Sequence, residues 1–280
     1  MDISVVTPSF NMLSYLKRCV ASVADQKSVQ AEHLVMDGGS HDGTVEWLKT
    51  QTSLLSEVRG DNGMYDAVNR GFRRARGQIV AHLNCDEQYL PGTLESVVRY
   101  FDARPEIDVL FGDILTVHPD GSLIAYRKTI RPVWPLFSLP PLYVYTAATF
   151  IRRKVVEDGV LLYDDSYKDI ADLEWIVRLV REGYKLAHVR QYFATFTITG
   201  ANRSLNTAAI DSEINRFLEG VPWWIKRLRH QWRLVAWAEK VLSGCYYQAT
   251  PFEYEIYIPG QSARSVFKVQ NASWRWRWRP

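Results

Sequence analysis

The sequence predicts an α/β protein built on a mostly parallel sheet with helices on both faces. Strand-like and helix-like segments alternate over about the first 100 residues, as they do when helical crossovers join parallel strands. Polar residues follow three predicted strands, at Thr7-Pro8, Asp37 and Asp86. Ligands of open parallel sheets bind beyond the carboxyl ends of the strands, so these residues should lie around one site.

Short apolar runs define the strands, and apolar residues at helical spacing define the helices between them. In order, the predicted elements are a strand at 3–7, a helix capped by Ser14, a strand at 33–36, a helix around 45–48, a strand at 54–58, a helix at 64–75 and a buried strand at 78–81. The chain then turns at 89–92, and Thr93 is predicted to cap the next helix.

The pattern changes after residue 108, where two strands flank His118-Pro119-Asp120-Gly121, the signature of a hairpin. An antiparallel hairpin beside parallel strands makes the sheet mixed. Further on, we expect a proline-rich loop at 132–141, a strand at 147–152, a helix that starts at Asp172, edge strands at 184–189 and 192–198, and a polar loop at 200–204.

The composition is that of a globular protein, since 47% of the 280 residues are hydrophobic and 23% are charged. The three cysteines are widely spaced and form no CxxC pair, so they predict neither a zinc site nor a disulfide framework and fit a reducing compartment. The sequence opens on a strand and has no apolar run of about 20 residues. We therefore expect no signal peptide, no spanning helix and a cytoplasmic location.

Charge is distributed unevenly along the chain, for which we expect a main domain at 1–205 and a separate extension at 206–280. Residues 221–280 hold ten Lys and Arg against three Asp and Glu, a charge of +7, while residues 1–220 carry −4. A helix is predicted from Pro222 to about Leu242. Its apolar face would be Val221, Trp224, Leu228, Trp232 and Val235, and its basic face Lys226, Arg229, His230, Arg233 and Lys240.

The chain ends on an alternation of Trp and Arg from Trp274 to Arg279. Together with the basic amphipathic helix, this end favours binding to a membrane surface, because Trp prefers the interface and Arg pairs with lipid phosphates. In the alternative interpretation, the apolar face packs on the main domain and the terminal repeat binds a protein partner.

The adjacent carboxylates Asp86 and Glu87 at a strand end suit a divalent cation that carries phosphates. A cation on Asp86 would bridge the phosphates of a nucleotide diphosphate and neutralise the leaving diphosphate. Asp37 would accept hydrogen bonds from the base or ribose, although an Asp after a strand also serves as a turn residue. Thr7 and the Pro8 backbone would line the base pocket.

A second carboxylate is needed to take a proton from an attacking hydroxyl, and Asp172 is our candidate. Its position at a helix start also suits a capping role. The sequence contains neither GxGxxG nor GxxxxGK[ST], so it indicates neither dinucleotide binding nor a P-loop.

Several blocks resemble family 2 glycosyltransferases with the GT-A fold. Residues 4–11 (SVVTPSFN) and 36–44 (MDGGSHDGT) look like the opening of that family. Residues 61–71 (DNGMYDAVNRG) resemble the block DNGIYDAMNKG of a bacterial polysaccharide-biosynthesis branch. Residues 84–87 stand where the family carries its DxD-type motif, and 148–150, 171–175 and Arg178-Leu179 also match that branch. The resemblance spans about residues 3–204.

The resemblance implies a Rossmann-like mixed central sheet with flanking helices. It also implies an inverting, metal-dependent transfer of one sugar from a nucleotide-diphosphate sugar, a UDP-sugar, to a lipid-linked saccharide in exopolysaccharide or lipopolysaccharide synthesis. Asp86 would bind Mg²⁺ or Mn²⁺, and Asp172 would be the general base. The donor would be contacted by Asp37 at the base, by Asn84 and Cys85 near the ribose, and by Asn62, Tyr65 and Asn69 near the sugar or diphosphate.

The sequence departs from the family pattern at Asn84, Glu87 and Ala171. Asn84 replaces the first acid of the DxD-type motif, Glu87 stands where Asp is usual, and Ala171 replaces the Glu before the base. The QxxRW signature of processive synthases is absent, which favours single-sugar transfer. Asn84 and Ala171 support an alternative, a nucleotide-sugar-binding protein with impaired catalysis. A nucleotidyltransferase would need a basic Gly-rich loop, which the first strand-helix unit lacks.

Overall fold

The structure, a computed structural model, describes residues 1–140, 144–157, 162–200, 202 and 207–275. Its strands are β1 (Ile3–Ser9), β2 (Ala31–Asp37), β3 (Leu55–Val58), β4 (Ile79–His82), β5 (Glu87–Tyr89), β6 (Val109–Val117), β7 (Leu123–Arg127), β8 (Thr149–Arg152), β9 (Leu186–Thr197), β10 (Phe252–Ile256) and β11 (Ser265–Val269). Its α-helices are α1 (Leu13–Ala24), α2 (Thr44–Lys49), α3 (Met64–Arg74), α4 (Thr93–Ala103), α5 (Arg153–Glu157), α6 (Ala171–Arg181), α7 (Thr207–Glu219), α8 (Trp223–Arg227) and α9 (Arg229–Leu242).

The predicted mixed α/β sheet is confirmed. Its strand order is β3-β2-β1-β4-β8-β6-β9-β5, and β7 pairs with the second half of β6. Strands β3, β2, β1 and β4 are parallel to one another, whereas β8 is antiparallel to both of its neighbours. The carboxyl ends of β1, β2 and β4 therefore meet at one edge, as the sequence predicted.

Helices cover both faces of the sheet because alternate residues of each buried strand point to opposite sides. Val6 and Val80 pack with α3, α5, α6 and α9, while Val5 and Ala81 pack with α1 and α4. Gly71 in α3 permits the close approach of this helix to β1 and β2, since a Cβ there would lie 2.3 Å from a Val6 methyl. The sheet is thus buried on both sides, which explains the continuous apolar runs of its strands.

The two edge strands predicted at 184–189 and 192–198 are wrong. They form one long strand, β9, which lies inside the sheet between β6 and β5. Arg190 and Gln191 look like a break in the sequence, but the Arg190 guanidinium pairs with the buried Asp113 carboxylate, with Nη1 at 3.1 Å from Oδ1. This ion pair lets a charged residue stand in the middle of a strand.

Two predicted helix caps are also wrong. The N-cap of α1 is Met12 rather than Ser14, and that of α4 is Gly92, which adopts the left-handed conformation at φ 73°. The Thr93 hydroxyl donates instead to the backbone carbonyl of Phe193 at 2.7 Å. The short strand β5 escaped prediction because three residues carry too little pattern.

The C-terminal extension is more varied than the single helix predicted. The extension begins with α7. The predicted helix follows and divides at Leu228 into α8 and α9, and a hairpin of β10 and β11 comes after it. Tyr254 and Val269 of the hairpin pack with Leu115 and Tyr126 of the main sheet. Arg264 forms an ion pair with Asp25, the C-cap of α1, with Nε at 2.6 Å from Oδ2.

No helix in the described part of the chain combines the length and the apolar character that crossing a bilayer requires. The three cysteines are buried and unpaired with one another. Most of the predicted loop at 200–204, the last residue of the proline-rich loop, Pro141, and the terminal repeat beyond Arg275 lie outside the described residues.

Candidate active site

Two neighbouring carboxylates occupy the turn between β4 and β5. Glu87 is buried at the start of β5, and its Oε2 accepts the backbone N–H of Asn84 at 2.8 Å. Asp86 is partly exposed, and its Oδ2 accepts a hydrogen bond from Asn202 Nδ2 at 3.0 Å. Loss of water around them raises the pKa of both carboxyl groups, and the Asp86 charge raises that of Glu87 further.

Asp172 lies in the first turn of α6, where Tyr65 of α3 reaches it. The Tyr65 hydroxyl hydrogen-bonds to the Asp172 carboxylate, and the backbone N–H of Leu173 donates to Oδ1 at 2.9 Å. Burial raises the pKa of Asp172 to about 6, although these two hydrogen bonds oppose the rise. The N-cap of α6 is Ile170, so Asp172 is not there as a cap.

The Asp172 carboxylate also faces the pair at the end of β4. Its negative charge raises the pKa of Glu87, after the larger effects of burial and of the Asp86 charge. It likewise raises the pKa of Tyr65 and Tyr163, in which burial is again the largest cause. These effects show that Asp86, Glu87, Asp172 and Tyr65 lie near one another, and we call this group of residues the carboxylate cleft.

A buried polar and aromatic wall connects the two sides of the carboxylate cleft. His82 Nε2 lies 2.9 Å from Asn84 Oδ1, and its Nδ1 lies 3.4 Å from the Tyr163 hydroxyl. The Tyr163 ring packs against Tyr65, with 5.0 Å between the ring centroids. Burial lowers the pKa of His82 to about 4, so this imidazole is neutral at pH 7. Sequence reasoning missed His82 and Tyr163, although His82 stands two residues before Asn84.

Helix α7 of the extension holds the segment that leads to Asp172. The Glu213 carboxylate accepts three successive backbone N–H groups, from Lys168 at 2.6 Å, Asp169 at 2.9 Å and Ile170 at 3.2 Å. The Lys168 ammonium in turn donates to the backbone carbonyl of Asn62 at 2.5 Å. Glu213 thus fixes the start of α6 and, through Lys168, the loop before α3. Nothing in the sequence pattern signalled this contact between residues 45 apart.

Comparison with known families identifies the chain. The model described as "Glycosyl transferase family 2" matches residues 4–158, more than half of the 280 residues. The chain belongs to glycosyl transferase family 2. The match includes Asp37 and Asp86, whereas Asp172 lies beyond its end.

One relative of this family 2 chain is the hyaluronan synthase of Pasteurella multocida. The two are 25% identical over 224 residues, which are 77% of this chain and 22% of that protein. The chain therefore spans about a fifth of the length of the curated synthases it matches.

Two solved structures confirm the GT-A fold of the family 2 chain. The 1–349 fragment of S. aureus TarS in complex with UDP-GlcNAc superposes with a TM-score of 0.59 at 16% identity, over 97% of this chain and 100% of that one. The mannosyltransferase PcManGT from Pyrobaculum calidifontis, in complex with GDP-Man and Mn²⁺, gives a TM-score of 0.54 at 14% identity, over 88% and 76%.

The residues that we expected at the base pocket lie at the ends of β1 and β2. Asp37 is buried, and its carboxylate accepts the N–H groups of Gly39 at 3.0 Å and Ser40 at 2.8 Å, and the Ser40 hydroxyl at 2.7 Å. The turn role considered for Asp37 is therefore present. Thr7 is buried, and its Oγ1 lies 2.8 Å from His33 Nε2 and 3.7 Å from the Cys19 sulfur. Pro8 pairs with Met36 across the two strands.

The residues predicted near the donor's ribose, sugar and diphosphate fall into different environments. Asn62 is exposed beside Lys168. Asn69 is buried, and its amide exchanges two 2.8 Å hydrogen bonds with the Tyr163 backbone, so it holds the Tyr163 wall in place. The Cys85 thiol is buried and lies 3.7 Å from the Met12 sulfur.

An exposed aromatic ring beside Asp37 was missed in the sequence. The Phe10 side chain is 58% exposed, directly after β1. A Cβ on Gly38 would lie 3.3 Å from the Phe10 ring and 2.8 Å from the Asp61 carboxylate, so both side chains lie close to this glycine. An apolar ring opposite a carboxylate suits a flat, polar-edged ligand such as a nucleobase.

The oxygen donors of the cleft are of the type that Mg²⁺ and Mn²⁺ take. Among the described residues, no group of three or more His, Cys, Asp or Glu side chains could hold a metal ion. Mg²⁺ is commonly bound by one or two carboxylates together with the phosphates of its substrate, and it keeps several waters. The partly exposed Asp86 fits that arrangement, with Asn202 orienting its Oδ2.

Proposed function

We propose that this family 2 chain transfers a single sugar from a nucleotide-diphosphate sugar to a saccharide acceptor, with inversion at the transferred carbon. The observation that carries the proposal is the carboxylate cleft. It combines a partly exposed acid at the end of β4, Asp86, with a second acid across the cleft, Asp172, whose pKa burial raises.

Asp172 has the properties of a general base for an attacking hydroxyl. With a pKa of about 6, it is about nine-tenths ionised at pH 7 and still basic enough to accept a proton. The Tyr65 hydroxyl and the Leu173 N–H fix the direction of its carboxylate. If Asp172 activates the acceptor hydroxyl for direct attack on the donor sugar, the transfer is a single displacement, which inverts the anomeric configuration.

Asp86 would hold Mg²⁺ or Mn²⁺ together with the donor diphosphate. When bound, the cation would neutralise the charge that the diphosphate gains as it leaves. The Mn²⁺ present with GDP-Man in the Pyrobaculum calidifontis mannosyltransferase supports this choice of metal. Asn202 and Asn84 orient the neighbouring carboxylates through their hydrogen bonds at 3.0 and 2.8 Å.

The base pocket would lie between Phe10, Asp37 and Asp61 at the ends of β1 and β2. UDP-GlcNAc in the S. aureus TarS complex supports a UDP-sugar as the donor. The likeness to a hyaluronan synthase supports a saccharide acceptor and a place in polysaccharide synthesis. We infer that the acceptor is lipid-linked, which would bring the protein to the cytoplasmic face of a membrane.

The test is a screen of nucleotide sugars by thermal shift, with and without Mn²⁺, followed by a transfer assay with the donor that stabilises most. A donor at 100 times its Kd should add about 2.7 kcal/mol to the free energy of unfolding. NMR of the product should show the inverted anomer. Donor binding without transfer or donor hydrolysis would support the alternative of an impaired binding protein, and stabilisation by no nucleotide sugar would refute the proposal.

A further inference from the structure

The side of α9 that packs on the protein is only partly the apolar face that the sequence predicted. Trp232 packs on the main core, Ala236 is buried beneath it, and the Trp224 ring of α8 stacks edge-on against Trp232 at 6.4 Å. Val235, which belongs to the predicted apolar face, is instead exposed. The core side of the two helices is therefore centred on Trp232 and Ala236.

A second apolar stripe then faces outward. Leu234, Trp237 and Val241 follow one another at helical spacing of three and four residues, which places them on one side of α9. Their side chains are 66%, 58% and 45% exposed, and Leu242 at the helix end is 85% exposed. Folding normally covers a contiguous apolar stripe of this kind, so the stripe indicates an interaction surface.

Positive charge borders the stripe. Arg229 and Arg233 are exposed, one turn apart, and Arg233 lies one turn before Trp237. Glu239 is the one acidic residue in the sequence of α8 and α9. We call Arg229, Arg233, Leu234, Trp237, Val241 and Leu242 the basic-aromatic face.

The start of the terminal Trp and Arg repeat is held at the end of the same helix. The Trp274 ring packs on Tyr246, four residues beyond Leu242, with 4.6 Å between centroids. The Arg275 guanidinium lies over Trp274 at 5.5 Å, and the Ser273 carbonyl accepts the backbone N–H of Tyr126 at 3.0 Å. The adjacent Tyr247 is 72% exposed. Two segments far apart in the sequence thus extend one basic and aromatic surface.

We propose that the basic-aromatic face docks on an anionic bilayer surface, with α9 lying in the plane of the headgroups. Arginines at the rim and a Trp beside aliphatic side chains match the phosphates and the acyl boundary of such a surface. The combination of exposed arginines with an exposed Trp and aliphatic side chains on one helix favours a lipid surface over a protein partner. The inference rests on the proposed function only for the lipid-linked acceptor, since docking itself requires no catalysis.

The test is co-sedimentation of the full chain with vesicles of phosphatidylcholine containing phosphatidylglycerol, compared with vesicles of phosphatidylcholine alone. The wild type should bind the anionic vesicles, and added salt should weaken the binding. Replacing Arg229 and Arg233 with Gln should each weaken binding about fivefold, since a basic residue near the surface contributes about 1 kcal/mol. The substitutions Leu234→Glu and Trp237→Glu should each weaken binding about tenfold or more.

The matched control is Leu55→Glu. Leu55 is another exposed leucine, 44% exposed on the edge strand β3, and its substitution changes the net charge by the same amount. Binding of this variant should equal that of the wild type, and thermal melts should show that all variants remain folded.

Failure of the wild type to bind anionic vesicles would overturn the proposal, as would equal binding by Trp237→Glu and Leu55→Glu. Sedimentation velocity without lipid should show a monomer, and a dimer that Leu234→Glu dissociates would assign the face to a second copy instead. Transfer to a soluble acceptor, measured in parallel, separates the two proposals. A wild-type protein that transfers the sugar but does not bind vesicles would refute only the docking proposal. A protein that binds vesicles but transfers no sugar would refute only the proposed function.

Discussion

The carboxylate cleft and the basic-aromatic face each hold side chains that folding alone would place elsewhere. The cleft gathers Asp86, Glu87 and Asp172 in surroundings that raise their pKa values. The face leaves Leu234 and Trp237 largely exposed. Removing carboxylates from water costs free energy. Within the cleft this cost is partly offset, because Asn202, the Asn84 backbone and Tyr65 hydrogen-bond to the three carboxylates.

The two regions differ in whether the protein itself supplies the contacts of their side chains. Within the described residues, the polar groups around the cleft are held by contacts from β4, α3, α7 and the segment after β9, so the cleft is organised before any ligand arrives. The apolar stripe of α9 is organised by its helix but not covered. We therefore expect substitutions in the cleft to affect transfer strongly, and substitutions on the face to affect location without affecting chemistry.

The largest expected effect is that of Asp172→Asn. Removing the base while keeping the shape should lower kcat about 10³-fold. The matched control is Asp165→Asn, an exposed carboxylate in the preceding loop, which should leave kcat unchanged. Circular dichroism should show both variants folded, and near-normal transfer by Asp172→Asn would remove Asp172 from the mechanism.

Substitution of Asp86 should have a larger effect than substitution of its neighbour Asn202. Asp86→Ala should lower transfer about 10²-fold or more and abolish the effect of Mn²⁺ on UDP binding, because the proposed ligand is lost. Asn202→Ala should lower Mn²⁺ affinity about tenfold, since a residue that orients a ligand has a smaller effect than the ligand itself. Isothermal titration of UDP with and without Mn²⁺ measures both. An unchanged Mn²⁺ dependence in Asp86→Ala would place the metal elsewhere.

Glu213→Ala tests whether the extension organises the cleft. The loss of an acceptor for three backbone N–H groups should lower the free energy of unfolding by about 1–3 kcal/mol. It should also lower kcat more than it changes the KM for the donor, because Asp172 loses its fixed position. Glu213→Gln keeps an acceptor oxygen and should recover part of kcat. Glu219→Ala, an exposed acid on the same helix, is the control. If Glu213→Ala and Glu213→Gln lowered kcat equally, Glu213 would not position Asp172 through these hydrogen bonds.

The raised pKa of Asp172 predicts a particular pH dependence of stability. The folded state holds a proton on this group up to about pH 6, whereas the unfolded chain loses it near its ordinary value, so the group favours folding more as pH falls. Urea unfolding at pH 5 and pH 8 should therefore show a larger gain at low pH in the wild type than in Asp172→Asn. Transfer should show the opposite trend and fall about tenfold per pH unit below 6. Identical pH dependence of unfolding in the two proteins would refute the raised pKa.

The smallest expected effect is that of Leu234→Glu on chemistry. Transfer to a soluble acceptor should match that of the wild type, because α9 packs on the main core with its other side, through Trp232 and Ala236, and Leu234 takes no part in that packing. Steady-state kinetics with the soluble acceptor checks this. A fall in kcat would mean that the face and the cleft are coupled, and would end the division drawn between them.

Much of the fold could be read from residue patterns. The alternation of apolar runs and helical spacing predicted β1 to β4 and the hairpin of β6 and β7, since local propensity and burial agree there. The single strand β9 could not be predicted, because Arg190 is acceptable in a strand only when Asp113 lies opposite. Asp86 and Asp172 were predicted from their positions after a strand and at a helix start, and Tyr65 was predicted from the resemblance to the family, as a contact of the donor. His82, Tyr163 and Glu213 were not, because their roles depend on residues distant in the sequence.

The sequence by itself determined the sheet, the family and the presence of a basic, Trp-rich extension, because these follow from periodicity, composition and contiguous motifs. The tertiary structure alone decided which side of α9 faces outward, since an amphipathic helix with apolar residues on two sides turns toward whichever contact buries more surface. It also decided that Asp172, Glu87 and Asp86 share one cleft. Their mutual effect on the pKa values arises only when folding brings three separate chain segments together in surroundings with little water.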